Sequence, residues 1–227
     1  DKGGDNCDVL LMSATPIPRT LTMTIYGDMD VSIIKEKPNH RKEIITYSKL
    51  ENKTNDVLKF ISKEINKGIQ VFWVCPIIEE SKKIDHQSAV KKYEQLTKIF
   101  PNNVRLLHGK TPIDEKEQIL KDFQKNEFKI LVSTTIIEVG IDFPNANVIV
   151  IENANKFGLS QLHQLRGRVG RGKNQATCIL MFKSTLTDNA KKRLNILKNS
   201  NDGFNISEED MKLRGFGDIL GFKQSGI

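Results

Sequence analysis

From residue 41 onward, short apolar runs rich in β-branched and aromatic residues alternate with stretches of helical periodicity, and this alternation restricts the fold more than any other feature. A strand, a helix and a further strand in succession build a mainly parallel sheet with helices on its faces, because a parallel connection must cross back over the sheet. Six strands are predicted: Glu43 to Tyr47, Gln70 to Ile77, Val104 to His108, Phe128 to Thr134, Asn147 to Glu152 and Ala176 to Phe182. Asn55 to Lys67 reads as a helix with Val57, Leu58, Ile61 and Ile65 on one stripe, ended by Gly68 as a C-cap glycine. Ser88 to Phe100 reads as a second helix closed by Pro101, and Glu115 to Lys125 as a third with Ile119, Leu120 and Phe123 facing inward.

The two ends of the chain break the pattern. In residues 1–40, one short apolar run, Val9 to Met12, is followed by SATPIPRT, where Pro16 and Pro18 interrupt regular structure. A strand with no partner in its own segment is the expected tail of a preceding domain, joined by a linker to a main domain at 41–185. After Lys183 a polar helix is predicted over Thr187 to Asn199. The next 25 residues, DGFNISEEDMKLRGFGDILGFKQSG, hold five glycines around short helical pieces, so 186–227 forms a third unit.

Composition narrows the class of function. A charged fraction of 28% and a formal charge of +7 over 227 residues suit a folded protein that favours a polyanionic partner. No apolar run nears the roughly 20 residues needed to span a bilayer. The first residues have no basic, then apolar, then small-residue leader pattern, so a cytoplasmic location is expected. Cys7, Cys75 and Cys178 lack both disulfide and zinc spacing and are read as small buried thiols.

Chemistry concentrates in QLHQLRGRVGRG, Gln161 to Gly172. Hydrolysis of a nucleoside triphosphate builds charge on the transferred phosphoryl group, and guanidinium groups presented from a facing surface stabilise that charge through paired hydrogen bonds. Arg168 and Arg171 are three apart and are expected to share a helical face, with Gly167 and Gly170 allowing close approach and Gln164 beside them. Thr134 and Thr135 follow a buried strand and belong at its carboxyl end, where open α/β sheets bind ligands and hydroxyls can hold a phosphate; capping of a following helix is the alternative role. Lys110 follows His108 at another strand end and is placed near nucleic-acid phosphate. His163 is read as a packing contact, His40 and His86 receive no role, and Trp73 is assigned to the core.

The Gln161 to Gly172 string is similar to motif VI of the superfamily 2 helicases, and further segments fall in that family's order. SATPIPRT resembles motif III, the region of VFWVCPIIEES resembles motif IV, LLHGK resembles the next strand end, and STTIIEVGIDFPNA resembles motif V. The resemblance implies a RecA-like lobe of the P-loop NTPase type, followed by a helical hairpin and loop. It implies ATP with Mg²⁺ as the nucleotide, bound mainly by a first lobe, with Gly140 and Asp142 facing it beside Gln164, Arg168 and Arg171. Ser13 and Thr15 would link nucleotide state to DNA binding. The C-terminal segment looks like the motif shared by the RecG family and the transcription-repair coupling factors, where Arg193, Arg214 and Gln224 match the residues that convert hydrolysis into movement. YGDMDVSIIKEKPNHRK, Tyr26 to Lys42, looks more like the RecG family, although Asn39-His40 departs from its usual Pro-Gly.

The implied partner is branched duplex DNA, with a monomer favoured, replication or repair proteins as further partners and no membrane. No G-x-x-x-x-G-K-[ST] string occurs, nor does an Asp-Glu pair ending an apolar strand, so the chain alone is expected to be catalytically silent, with a first lobe and a wedge domain upstream. A coupling-factor type of motor and a non-catalytic nucleic-acid module remain as alternatives.

Overall fold

The strongest apolar runs take the centre of the sheet, since parallel strands buried on both faces read as continuous hydrophobic stretches. The computed structural model describes residues 42–75, 82–134, 143–172 and 174–214 with the single positions Leu10, Asp30, Ser32 and Ile34, giving backbone only for 82–87 and 214. Six strands are present: β1 (Ile45–Leu50), β2 (Gln70–Val74), β3 (Val104–Leu107), β4 (Ile130–Ser133), β5 (Ala146–Ile151) and β6 (Thr177–Phe182). All pair in parallel, in the order β1-β6-β5-β2-β4-β3. Each of the six strands expected from residue 41 onward is there, with β1 and β4 beginning two residues later than their sequence patterns suggested. Val9, Leu11 and Met12 and the residues beyond Cys75 up to Ile77 lie outside the described residues.

Among the described residues six α-helices accompany them: α1 (Thr54–Asn66), α2 (Lys82–Ile99), α3 (Ile113–Gln124), α4 (Leu159–Arg166), α5 (Asp188–Asn199) and α6 (Gly203–Arg214). Alternate strand residues feed two cores. Val71, Trp73, Val132 and Val150 pack under α1 and α2, whereas Phe72, Leu131, Ile149 and Leu180 pack under α3, α4 and α5. A cluster of Phe72, Phe123, Phe128 and Phe143, with ring centroids 5.1 to 5.6 Å apart, fills the second core beneath α3.

Glycine ends α1 as its position suggested. Gly68 sits at φ +84°, its amide donates to Ile65 O at 2.8 Å and that of Ile69 to Glu64 O at 3.1 Å, the paired bonds of a Schellman turn. The helix expected from Ser88 begins at Lys82 instead. The described part of the 186–227 segment holds more regular structure than its glycines implied. α5 is followed by a continuous 12-residue α6 instead of short pieces, and Leu194, Leu197 and Ile206 join the same core as the strands. Residues 215–227, with most of the glycines, lie outside the described residues.

Candidate functional site

α4 returns the chain from the carboxyl end of β5 to the amino edge of the sheet, and its end at Arg166 divides the Gln161 to Gly172 string. Gly158 starts the helix, with its amide donating to Gln161 Oε1 at 2.9 Å. Leu159, Leu162 and Leu165 face the core. The helix stops at Arg166, and Gly167 is its C-cap. Arg168 and Arg171 therefore do not share a helical face: they lie in the loop that follows, and their spacing of three arises from a turn. Beyond the helix end the loop turns at Gly170, which adopts φ +76°, a region that costs an L side chain about 1–2 kcal/mol.

This loop is held against the sheet. Val169 is buried in the core as its anchor, leaving Arg168 half-buried and Arg171 exposed on either side. The Gly170 amide donates to Ala146 O, the first residue of β5, at 3.4 Å. A Cβ on Gly170 would stand 2.9 Å from the Ala176 methyl, and one on Gly172 would run into the Pro144 carbonyl oxygen. Gly167 has ordinary room, so close approach belongs to Gly170 and Gly172, with Gly167 acting as a helix end.

Two cations result at the amino edge. Burial depresses the pKa of Arg168 below the usual arginine value, and the nearby Arg171 charge depresses it further. Arg168 Nε is buried without a hydrogen-bond partner. A guanidinium in that condition gains from an anion that supplies both the missing acceptor and the missing charge. Gln164 is exposed on the last turn of α4, on the same approach. Among the described residues, no group of three or more His, Cys, Asp or Glu is placed to hold a metal ion.

Of the expected nucleic-acid residues, Lys110 and Thr134 lie at the opposite edge, a strand length of four to six residues away, roughly 13–20 Å. Lys110 is exposed in a turn after β3, where its amide donates to His108 Nδ1 at 3.1 Å and the His108 amide to Thr111 Oγ1 at 3.1 Å. His108 thus shapes a strand-end turn. Thr134 is only 7% exposed, more enclosed than a phosphate contact needs. Its amide donates to Leu107 O at 3.2 Å. Thr135, Gly140 and Asp142 lie outside the described residues, as do Ser13, Thr15, Gln224 and the side chain of Arg214. The connection from Ser133 to Ala146 nonetheless has to run from the carboxyl edge to the amino edge, since β4 and β5 are parallel members of one sheet.

β2 feeds α2 on one face of the sheet while its neighbour β5 feeds α4 on the other, and ligands often bind beyond the strand ends at such a divergence. Here the place is filled. Lys92 Nζ pairs with Glu152 Oε1 at 2.8 Å, the Cys75 thiol lies 3.7 Å from Glu152 Oε2, and Lys92 stands 5.1 Å from the Trp73 ring centre. Burial first, and then Glu152, push the Cys75 thiol far above its usual range, so it is no nucleophile. Trp73 is core, as its apolar run indicated.

Sequence reasoning missed three residues. Arg166 is 2% exposed and donates to Leu197 O at 2.6 Å, Ser200 O at 2.8 Å and Thr46 Oγ1 at 3.4 Å, with His163 Nδ1 3.1 Å away. Ser160 donates to Asp210 Oδ2 at 2.6 Å. The signal for Arg166 was its register, since Leu159, Leu162 and Arg166 fall at i, i+3 and i+7 on the buried stripe. Arg193 donates to Asn155 O at 3.2 Å, which ties α5 to the turn before α4.

Residues 52–173 match the family model for the helicase conserved C-terminal domain. Among curated proteins, the chain is 51% identical over 226 residues to the ATP-dependent DNA helicase RecG of Bacillus subtilis (strain 168), covering 99% of this chain and 33% of that protein. It thus spans about a third of the length of such relatives. Among solved structures, a RecG bound to a three-way DNA junction superposes with a TM-score of 0.78 at 42% identity, over 96% of this chain and 30% of that one. The C-terminal domain of the DEAD-box protein Dbp5, at 19% identity and a TM-score of 0.50 over 77% of this chain and 98% of its own, shares the fold.

Proposed function

Because this chain belongs to the helicase conserved C-terminal domain family, we propose that it serves as the second motor lobe of a RecG-type, ATP-dependent DNA helicase that remodels branched duplex DNA. The observation that carries this reading is Arg168, a half-buried guanidinium with an unpartnered Nε, held beside Arg171 on a loop fixed to the sheet. A half-buried guanidinium with an unsatisfied Nε beside a second cation favours a polyphosphate, and a triphosphate presented by a facing lobe has the right charge and oxygens.

In the proposed cycle Arg168 and Arg171 donate to the transferred phosphoryl group, stabilising the charge that builds during its transfer to water. Gln164 lies beside them, and Gly140 and Asp142 complete the nucleotide side. Mg²⁺ would come with the nucleotide and be held mainly by the facing lobe. At the carboxyl edge Lys110 and Thr135 grip the DNA backbone without reading sequence, with Thr134 supporting the strand end from its enclosed position. The segment 133–146 joins the two edges, so closure around the nucleotide displaces the DNA grip. Ser13 and Thr15 in the 1–40 segment and Arg193, Arg214 and Gln224 in the 186–227 segment carry that motion beyond the 41–185 lobe. The intact motor acts as a monomer, with replication or repair proteins as further partners.

The branched-DNA part is tested by exchanging the matching third of the Bacillus subtilis RecG for this chain and measuring strand separation. The reading expects a three-way junction to be resolved well ahead of a blunt linear duplex. Equal action on both substrates would leave a general duplex translocase, and binding without strand separation would leave a nucleic-acid module.

A further inference from the structure

Arg166 lies between the arginine loop and the C-terminal hairpin but can reach neither a nucleotide nor DNA, because it is 2% exposed. A buried guanidinium normally has a carboxylate beside it. Here the acceptors with short bonds are backbone carbonyls, Leu197 O at 2.6 Å in the last turn of α5 and Ser200 O, its C-cap, at 2.8 Å. A helix C-terminus carries unpaired carbonyls and the negative end of the helix dipole, so it stands in for the missing acid. Thr46 Oγ1 at 3.4 Å adds the second residue of β1. An arginine nitrogen always donates, so the contact at 3.1 Å makes His163 Nδ1 the acceptor and leaves its ring proton on Nε2. One side chain therefore ties the end of α4, the end of α5 and β1 together, one residue before the loop that begins at Gly167.

We infer that Arg166 is a positioning residue that fixes the arginine loop and the α5–α6 hairpin to each other, so that neither moves without the other. The inference rests on the proposed phosphate-binding role of Arg168 and Arg171. It reassigns the string: its first arginine joins two structural units, and only its last two are presented to an anion. The Ser160–Asp210 bond at 2.6 Å supplies a second point of attachment, at the opposite end of α4, which prevents the helix from pivoting about Arg166.

The test uses the whole 227-residue chain and two readouts, amide hydrogen exchange by residue and affinity for inorganic triphosphate measured by calorimetry. Arg166→Ala is expected to raise exchange in both 167–172 and 197–203 and to weaken triphosphate binding at least fivefold, whereas Arg166→Lys recovers part of both. Leu120→Ala, a destabilising change under α3 in the same core, is expected to leave the affinity unaltered. Faster exchange in only one of the two segments, or in neither, overturns the joint. So does an affinity loss as large in Leu120→Ala as in Arg166→Ala. Should Arg166→Ala fail to fold, Arg166→Lys decides by the same paired criterion, since one ammonium cannot engage Leu197, Ser200 and His163 together. If Arg168→Ala binds triphosphate as well as the wild type, the phosphate-binding reading fails, and the exchange pattern still judges the joint.

Discussion

Ser160 Oγ donates to Asp210 Oδ2 at 2.6 Å, pinning the first turn of α4 to the second half of α6 across 50 positions of sequence. Asp210 is buried, and a hydrogen bond to a charged group contributes about 1.5–3 kcal/mol. Ser160→Ala is therefore expected to lower the unfolding free energy by an amount in that range, with Asp210→Asn costing less because its amide oxygen still accepts. Urea denaturation of the two variants reads this, and a Ser160→Ala midpoint equal to the wild type would show the bond to be incidental.

The three glycines of the arginine string should respond very differently to alanine. Gly167→Ala meets only ordinary contacts with the Gln164 and His163 carbonyls and stays near neutral. Gly170→Ala meets the Ala176 methyl at 2.9 Å and a positive φ, and the backbone part alone costs about 1–2 kcal/mol. Gly172→Ala meets a backbone carbonyl that cannot turn aside, so Pro144 or the loop has to shift. Thermal midpoints are expected to fall in the order Gly167→Ala, Gly170→Ala and Gly172→Ala below the first. A midpoint for Gly172→Ala equal to that of Gly167→Ala would contradict the packing described here.

That contrast also marks what the sequence could reveal. Among the described residues, periodicity disclosed the six strands and three inner helices, because alternation and continuous apolar runs are dictated by burial, which is local to each segment. The spacing of Arg168 and Arg171 suggested a shared helical face, and it misled because the helix ends at Arg166 with Gly167 as its C-cap, and Gly170 then turns the loop at a positive φ. Arg166 was passed over for a related reason: its partners lie 31 and 34 positions away, and they are backbone carbonyls that carry no residue-specific signature. The 12 residues of α6 hide among glycines and acids because their apolar side is short and packs mainly on α4 and α5.

The two described thiols are expected to be inert. Burial pushes Cys178 up to about 12, with Arg166 opposing the shift, and Cys75 is raised further. In the native state neither should react with iodoacetamide at pH 8, as read by peptide mass mapping, whereas both react in urea. The pH dependence has a definite sign. A thiol whose folded pKa exceeds its unfolded value of 9.0 contributes in full below pH 9. That contribution is lost as pH rises toward 12 for Cys178, at about 1.4 kcal/mol per unit for each thiol. Native labelling of Cys178 as fast as in urea would refute its burial.

Trp73 is the one tryptophan, fully buried and with Lys92 over its ring. Its fluorescence is expected to resist acrylamide and to stay unchanged when single-stranded DNA binds, because core residues do not stack on bases. Quenching on DNA addition would reopen its exclusion from the nucleic-acid surface.

The central claim is that Arg168 and Arg171 stabilise the phosphoryl group of a nucleotide held by a facing lobe, and DNA-stimulated ATP turnover tests it most directly. With this chain exchanged for the matching third of the Bacillus subtilis RecG, Arg171→Ala is predicted to lower kcat by about 10³-fold or more, the usual scale for such an arginine, with Arg168→Ala similarly impaired. Wild-type turnover in both variants would contradict the account.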